Sequence, residues 1–225
     1  MQKGKLFGAN FGKIVIGDGN FLSLDTNTLV VAKNREISTT VIKALHECVA
    51  SNGMDEQTMI FGTTKINGGT NFVGEEQMRK GLAELLNYVK TVKTFLTLNR
   101  CKNISEYNKK FRDSGKCVFV VIEEIMDIFK YDNFEEIRGM IASLLNFAKD
   151  VGISIVATTE NINGIGCMQD LCYKFNNRLV FNGFEGEGVR AVTLGMYSTT
   201  KSLKGLEFYY MTLNKGNGSL LSLNC

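Results

Sequence analysis

Seven residues restrict the fold more than any others: Val118-Phe119-Val120-Val121-Ile122-Glu123-Glu124, an unbroken apolar run that ends in two carboxylates. A continuous run rich in β-branched and aromatic residues suits a strand buried on both faces, and such strands belong to parallel sheets covered by helices. Thr28 to Ala32 and Ile153 to Ala157 have the same character. Amphipathic stretches with helical spacing lie between them. The expected fold is therefore α/β, a mainly parallel central sheet flanked by helices. In such sheets ligands sit beyond the carboxyl ends of the strands. Those ends carry Ala32-Lys33, Glu123-Glu124 and Thr158-Thr159-Glu160.

The remaining elements follow from pattern. Lys13–Ile16 and Phe21–Leu24 flank Gly17-Asp18-Gly19-Asn20 and predict a small amino-terminal β-hairpin. Thr39–Ala50 carries Val41, Ile42, Leu45 and Val49 on one helical face. Gln57–Phe61 predicts a strand, and the polar, glycine-rich stretch from Gly62 to Gly74 reads as a loop, mobile around Gly68-Gly69. Glu75 to about Leu98 predicts a long helix with Met78, Leu82, Leu85, Leu86, Val89, Val92 and Leu96 inward. Ile104–Phe111 predicts a shorter one with Ser105 as its cap. Phe134–Lys149 predicts a fourth, closed by Gly152. Asn177–Phe181 reads as a strand and Val189–Leu194 as a short helix. Glu207–Met211 and Ser219–Leu223 read as an edge hairpin.

Composition narrows the function classes. The 225 residues suit one domain spanning 1–225. A net charge of +3, with basic and acidic residues interleaved, makes DNA an unexpected partner. Six cysteines without a CxxC pair, and the single histidine His46, argue against a zinc site and fit a reducing cytosol. Cys48 and Cys117 read as core thiols, and His46 as a packing residue. No apolar run approaches the ~20 residues of a membrane-spanning helix, so direct membrane insertion is not expected. Tyr209 and Tyr210 read as core and edge residues, and Arg178 as a surface or ion-pair residue.

The order of these pieces resembles the motor domain of the FtsK/SpoIIIE family, a RecA-like P-loop NTPase. Asn103-Ile104-Ser105-Glu106-Tyr107-Asn108 is similar to that family's RNIxxYN segment. Phe119 to Glu124 resembles VVVIDE. Asn146 to Ile153 and Val156 to Glu160 resemble RxxGIHLxLATQ, and Asn177–Phe181 resembles the strand that follows. The resemblance implies that Glu123 and Glu124 stand at the Walker B position and that Thr159 and Glu160 are sensor-like. It places the phosphate loop, GxxGSGKS in the family, on Lys33 to Thr40. Candidate nucleotide-binding residues are then Lys33, Asn34, Arg35, Ser38, Thr39 and Thr40.

The departures from that pattern matter as much. Glycines let a phosphate loop turn successive N–H groups toward the anion, and its lysine supplies charge. Here there is no glycine, and Thr39 takes the lysine's place. Glu36 puts a carboxylate where phosphate oxygens would lie, and Ile37 suits φ > 0 poorly. Lys33 or Arg35 would have to supply charge from another angle, and Thr40 remains able to reach a metal. Glu123 is longer than the usual aspartate. Glu160 replaces a glutamine that donates to the γ-phosphate, which a glutamate cannot do. No intact catalytic set and no cofactor are expected, with ATP and Mg²⁺ bound weakly at most.

Gly12 to Gly17, Leu22 to Asp25 and the strand at Leu29 also resemble the lead-in of the type VII secretion ATPases of EssC/YukB/EccC type. That narrower resemblance implies a degenerate carboxy-terminal domain, a piece of a longer multi-domain, membrane-anchored bacterial protein, lying in the cytoplasm. Its partners would be neighbouring ATPase domains of the same chain, secreted WXG100-type substrates and other secretion proteins, in a possible hexamer of the full-length protein. The expected function is a regulatory, assembly or substrate-recognition module. The alternatives are a weak ATP-binding DNA translocase or conjugation-type coupling ATPase, and a stand-alone interaction protein of a mobile element.

Overall fold

The buried apolar runs become the centre of one twisted sheet. In a computed structural model of the protein the described residues are 13–15, 21–23, 26–51, 57–111, 118–162, 169–213 and 218–222. The strands are β1 (Lys13–Val15), β2 (Phe21–Ser23), β3 (Thr28–Val31), β4 (Gln57–Phe61), β5 (Gly69–Phe72), β6 (Val118–Ile122), β7 (Ile153–Thr159), β8 (Asn177–Phe181), β9 (Glu207–Thr212) and β10 (Gly218–Ser222). The helices are α1 (Arg35–Ser51), α2 (Glu75–Leu98), α3 (Ile104–Phe111), α4 (Phe134–Val151), α5 (Gln169–Cys172) and α6 (Glu187–Val192), with a 3-10 helix over Ile125–Lys130. Among the described residues the main sheet has eight strands in the order β10-β9-β8-β3-β7-β6-β4-β5. From β8 to β5 the neighbours are parallel; β9 and β10 add antiparallel at one edge.

Side chains alternate between two cores, as the period of two requires. Leu29, Val31, Val118, Val120, Ile122, Ile153 and Ile155 face one core, which α2 and α4 complete with Leu82, Leu85, Ile137, Ile141 and Leu144. Val30, Ala32, Phe119, Val121 and Val156 face the other, covered by Val41, Ile42, Leu45 and Val49 of α1. His46 of α1 is buried against the Phe119 ring, as a packing residue. Tyr210 is buried, and Tyr209 stacks on Tyr197. Gly152 closes α4 at φ 79, a left-handed conformation that costs an L side chain ~1–2 kcal/mol.

Several expectations change. The hairpin exists as β1 paired with β2, while Ile16, Leu24 and the Gly17–Asn20 turn lie outside the described residues. So does Cys117, as does the side chain of Cys48. The stretch after Gly62 is not all loop: Gly69–Phe72 is an edge strand parallel to β4. Its polar, half-exposed residues lack the apolar signature of the inner strands. Helix α3 is capped by Asn103, not Ser105: Asn103 Oδ1 accepts the Glu106 N–H at 2.9 Å, and Glu106 reaches back to the Lys102 N–H at 2.7 Å.

Arg178 corrects a further expectation. It is 1% exposed, and among the described residues it pairs with no carboxylate. Its guanidinium donates to the carbonyls of Cys172 and Val192, both at 3.0 Å, and of Ala191 at 3.2 Å. These carbonyls end α5 and α6, where backbone dipoles leave partial negative charge. Burial pulls the pKa of Arg178 down, yet an arginine stays charged in a protein. Arg178→Ala would leave three carbonyls unpaired beside a void, and we expect a loss of about 3–5 kcal/mol, read as a lower urea midpoint. Arg178→Lys should recover only part of it, because a single ammonium cannot span the fork.

Candidate functional site

The turn from β3 into α1 is short. Ala32 donates its N–H to the Thr159 carbonyl at 3.1 Å, which staples the strand end to β7. Only Lys33 and Asn34 then precede the helix. Asn34 Oδ1 accepts the Glu36 N–H at 2.8 Å. Its carbonyl accepts the N–H groups of Ile37 at 3.1 Å and Ser38 at 3.3 Å. Asparagine is among the best helix N-caps because its side-chain oxygen accepts an early helical N–H, as it does here for Glu36. The helix therefore starts at Arg35, four residues before the apolar periodicity begins. Ile37 sits in helical backbone, so no conflict with φ > 0 arises.

Glu123 turns inward on its own loop. Its Oε2 accepts the Thr63 N–H at 2.7 Å and the Arg35 guanidinium at 3.2 Å; its Oε1 accepts the Thr64 N–H at 3.0 Å. Arg35 also donates to the Thr63 hydroxyl. The Glu123 side chain is only 11% exposed. Gly62 (φ 152) lies directly beneath it, and a Cβ there would overlap the carboxylate. The acid thus ties the loop after β4 to the end of β6 and the start of α1.

Glu124 turns the other way. Its backbone is left-handed (φ 42, ψ 68), uncommon for a residue with a Cβ. Because β7 lies between β3 and β6, its last residues stand beside this turn. The Glu124 N–H donates to the Thr158 hydroxyl at 3.0 Å. Its carboxylate accepts the Thr159 hydroxyl at 2.8 Å and the Glu160 N–H at 2.5 Å. Burial pushes the carboxyl above its ordinary value; the Glu160 and Thr159 hydrogen bonds oppose that, and the charges of Asp127 and Glu160 add to it.

These elements enclose a cavity of about 650 Å³, within the usual range for small-ligand sites. Of the predicted residues, Arg35, Ser38, Thr39, Glu123, Glu124 and Glu160 line it. Lys33, Asn34, Thr40 and Thr159 do not. Lys33 runs beside Gly183 at the end of β8, where a Cβ on the glycine would lie 3.0 Å from Lys33 Cδ. Thr159 is fully buried behind Glu124. Sequence pattern missed Asp127 and Lys130, which enter the cavity from the 3-10 helix and pair at 2.6 Å. It also missed the apolar wall of Phe72, Met78, Met126 and Tyr131. Among the described residues no group of three or more His, Cys, Asp or Glu side chains is arranged to hold a metal.

No family model matches the sequence, and no curated protein matches it. Solved structures do. The chain is similar to the pCW3 conjugation coupling protein TcpA, a monomer with ATPγS, at 17% identity and a TM-score of 0.77, over 98% of this chain and 68% of that one. It is similar to ATPases 2 and 3 of EssC from Geobacillus thermodenitrificans at 14% identity and a TM-score of 0.71, over 90% of this chain and 40% of that one. It is also similar to ATPases 2 and 3 of Thermomonospora curvata EccC, in complex with a signal sequence peptide, at 12% identity and a TM-score of 0.60, over 90% and 38%. The chain spans less than half the length of these two secretion proteins. These likenesses establish the fold, that of a RecA-like P-loop NTPase domain.

Two substitutions probe the acids. Glu123→Ala would leave the Thr63 and Thr64 N–H groups without their acceptor, and should cost about 2 kcal/mol in chemical denaturation. Glu124→Gln should do the reverse at neutral pH. A carboxyl whose folded pKa is raised binds its proton more tightly in the folded state, so its contribution is present below the unfolded value and lost as pH rises through the folded one. The Glu124→Gln protein should therefore melt higher than wild type at pH 7. The difference should vanish as pH falls to the ordinary glutamate value of 4.5.

Proposed function

We propose that the chain is a non-hydrolysing FtsK/SpoIIIE-like module of a type VII secretion motor, serving in regulation, assembly or substrate recognition. The observation that carries this is the Asn34 cap. The N–H groups of Glu36, Ile37 and Ser38 belong to the segment that the resemblance assigns to the phosphate loop, and all three are held by Asn34. A triphosphate would have to displace those bonds and would then face Glu123, Glu124, Asp127 and Glu160. Lys33 points elsewhere, and Arg35 is engaged by Glu123. Losing a single preorganised donor to a developing oxyanion typically costs about 3 kcal/mol; here several are missing. Glu124, which the resemblance puts at the Walker B position, is held by Thr159 and Glu160.

The likeness to EssC and EccC domains supports neighbouring ATPase domains of a longer cytoplasmic chain as partners, within a possible hexamer. The peptide-bound EccC structure supports secreted WXG100-type substrates as ligands. Membrane anchoring would belong to another part of such a protein, since among the described residues no helix is long and apolar enough to cross a membrane. A second reading, a coupling ATPase that handles DNA, is favoured by the match to TcpA over 98% of this chain.

Calorimetric titration with Mg-ATP separates these readings. We expect no saturable heat at millimolar nucleotide and no phosphate release. Tight binding with turnover would overturn the proposal, and a DNA complex whose affinity falls steeply with salt would establish the second reading.

A further inference from the structure

The even mixing of charge along the chain breaks down over one stretch. Residues 90–111 carry Lys90, Lys93, Arg100, Lys102, Lys109 and Lys110 against the single acid Glu106, a net +5 in a chain whose total is +3. They form the carboxyl-terminal part of α2, the turn after it and α3. We propose that this face docks peripherally on an anionic phospholipid bilayer, with Leu98, Phe95 and Phe111 entering the headgroup boundary and the cations meeting lipid phosphates. The inference stands apart from the cavity and from any nucleotide.

All six cations are exposed, and among the described residues none of their side chains forms an ion pair. Glu106 is turned back onto the Lys102 N–H at 2.7 Å. Apolar side chains stand between the charges. Leu98, the last residue of α2, is 79% exposed, and Phe95, Phe111 and Phe147 are exposed as well. Phe95, Tyr107 and Phe111 form a row of rings that joins α2 to α3, with successive centroids 4.9 and 4.6 Å apart. On the other flank the Lys93 ammonium lies 3.6 Å over the Phe147 ring of α4. Lys90, Thr94 and Leu98 follow one another at the spacing of a helix turn, and all three are exposed. The threonines there do not restore polarity to the surface. Thr91, Thr94 and Thr97 donate their hydroxyls to the carbonyls of Asn87, Lys90 and Lys93 at 2.9, 3.0 and 2.9 Å, which satisfies them within the helix.

This mixture selects the occupant. A nucleic acid would be drawn to the cations, but it has no partner for Leu98, and the three rings lean on one another instead of standing open to bases. An acidic protein would need a pocket shaped to the protruding leucine. A bilayer needs no such shape. Leucine and phenylalanine sink into the boundary between headgroups and acyl chains. Lysine and arginine stems run along the apolar side chains while their heads reach phosphates. Each exposed cation adds to the attraction for an anionic surface within a Debye length of it. Such a contact lies along the membrane and does not cross it.

The chain has no tryptophan, so a single introduced one reports its own surroundings. The 225-residue protein is made as Leu98→Trp and, for comparison, as Met196→Trp, next to the Tyr197 that stacks on β9 towards the opposite edge of the sheet. Each is mixed with vesicles of equimolar phosphatidylglycerol and phosphatidylcholine, and with vesicles of pure phosphatidylcholine. We expect the Leu98→Trp emission to shift to the blue on the anionic vesicles and to be quenched by brominated acyl chains, and the Met196→Trp emission to stay unchanged. In flotation with the anionic vesicles, the triple variant Lys90→Gln, Lys102→Gln, Lys109→Gln should bind about a hundredfold more weakly than wild type. Leu98→Ser should bind about tenfold more weakly. Both should keep the wild-type melting temperature. Equal binding to pure phosphatidylcholine, no binding to either vesicle, or unchanged affinity in both variants would overturn the proposal. A salt-sensitive DNA complex that shifts the Leu98→Trp emission, with no vesicle binding, would assign the face to nucleic acid and overturn it too. The Mg-ATP titration is independent: its failure leaves this contact standing, and loss of this contact leaves the proposed function standing.

Discussion

Asn34 fixes how α1 starts at the carboxyl edge of this sheet. Its side chain and its carbonyl together accept three N–H groups at the start of α1. Three residues, Ala32 to Asn34, join β3 to the helix, and the cap satisfies amides that a helix start would otherwise leave unpaired. The rest of the edge is arranged around that choice. Arg35, first residue of the helix, is free to swing onto Glu123. Glu123 in turn holds the loop after β4. These contacts tie the loops at the edge of the sheet to one another around the cavity.

Glu123 and Glu124 are adjacent and have opposite fates. The left-handed backbone at Glu124 aims the two carboxylates into different neighbourhoods. One receives two amides and a guanidinium and stabilises the loop beneath it. The other receives a hydroxyl and an amide, is partly desolvated, and holds its proton more firmly than usual. Environment separates the two acids, as it does in many sites where neighbouring carboxyls have different tasks.

Much of the fold could be read directly because its strands are buried on both faces. β3, β6 and β7 leave runs of apolar residues that no surface element would tolerate, and α2 and α4 leave clear stripes. β5 leaves none, since an exposed edge strand of Gly, Thr and Asn has the composition of a loop. The start of α1 was hidden for a different reason. The family pattern treats Lys33 to Thr40 as loop, and this obscured a local cap at Asn34. In the site, Glu123, Glu124 and Glu160 were visible as charges at strand ends. Asp127 and Lys130 were not, because a 3-10 turn has no long periodicity. Nothing local to Arg178 announces its partners: Cys172, Ala191 and Val192 are brought to it only by the tertiary fold.

That guanidinium has a mechanical consequence. One rigid planar group is shared by a central strand and the ends of two short helices, neither long enough to be stable alone. The helices therefore cannot fray one at a time without abandoning a charge in the interior. The flank of the domain from Leu171 to Val192 should open and close as one cooperative unit, locked to the strand that carries the arginine.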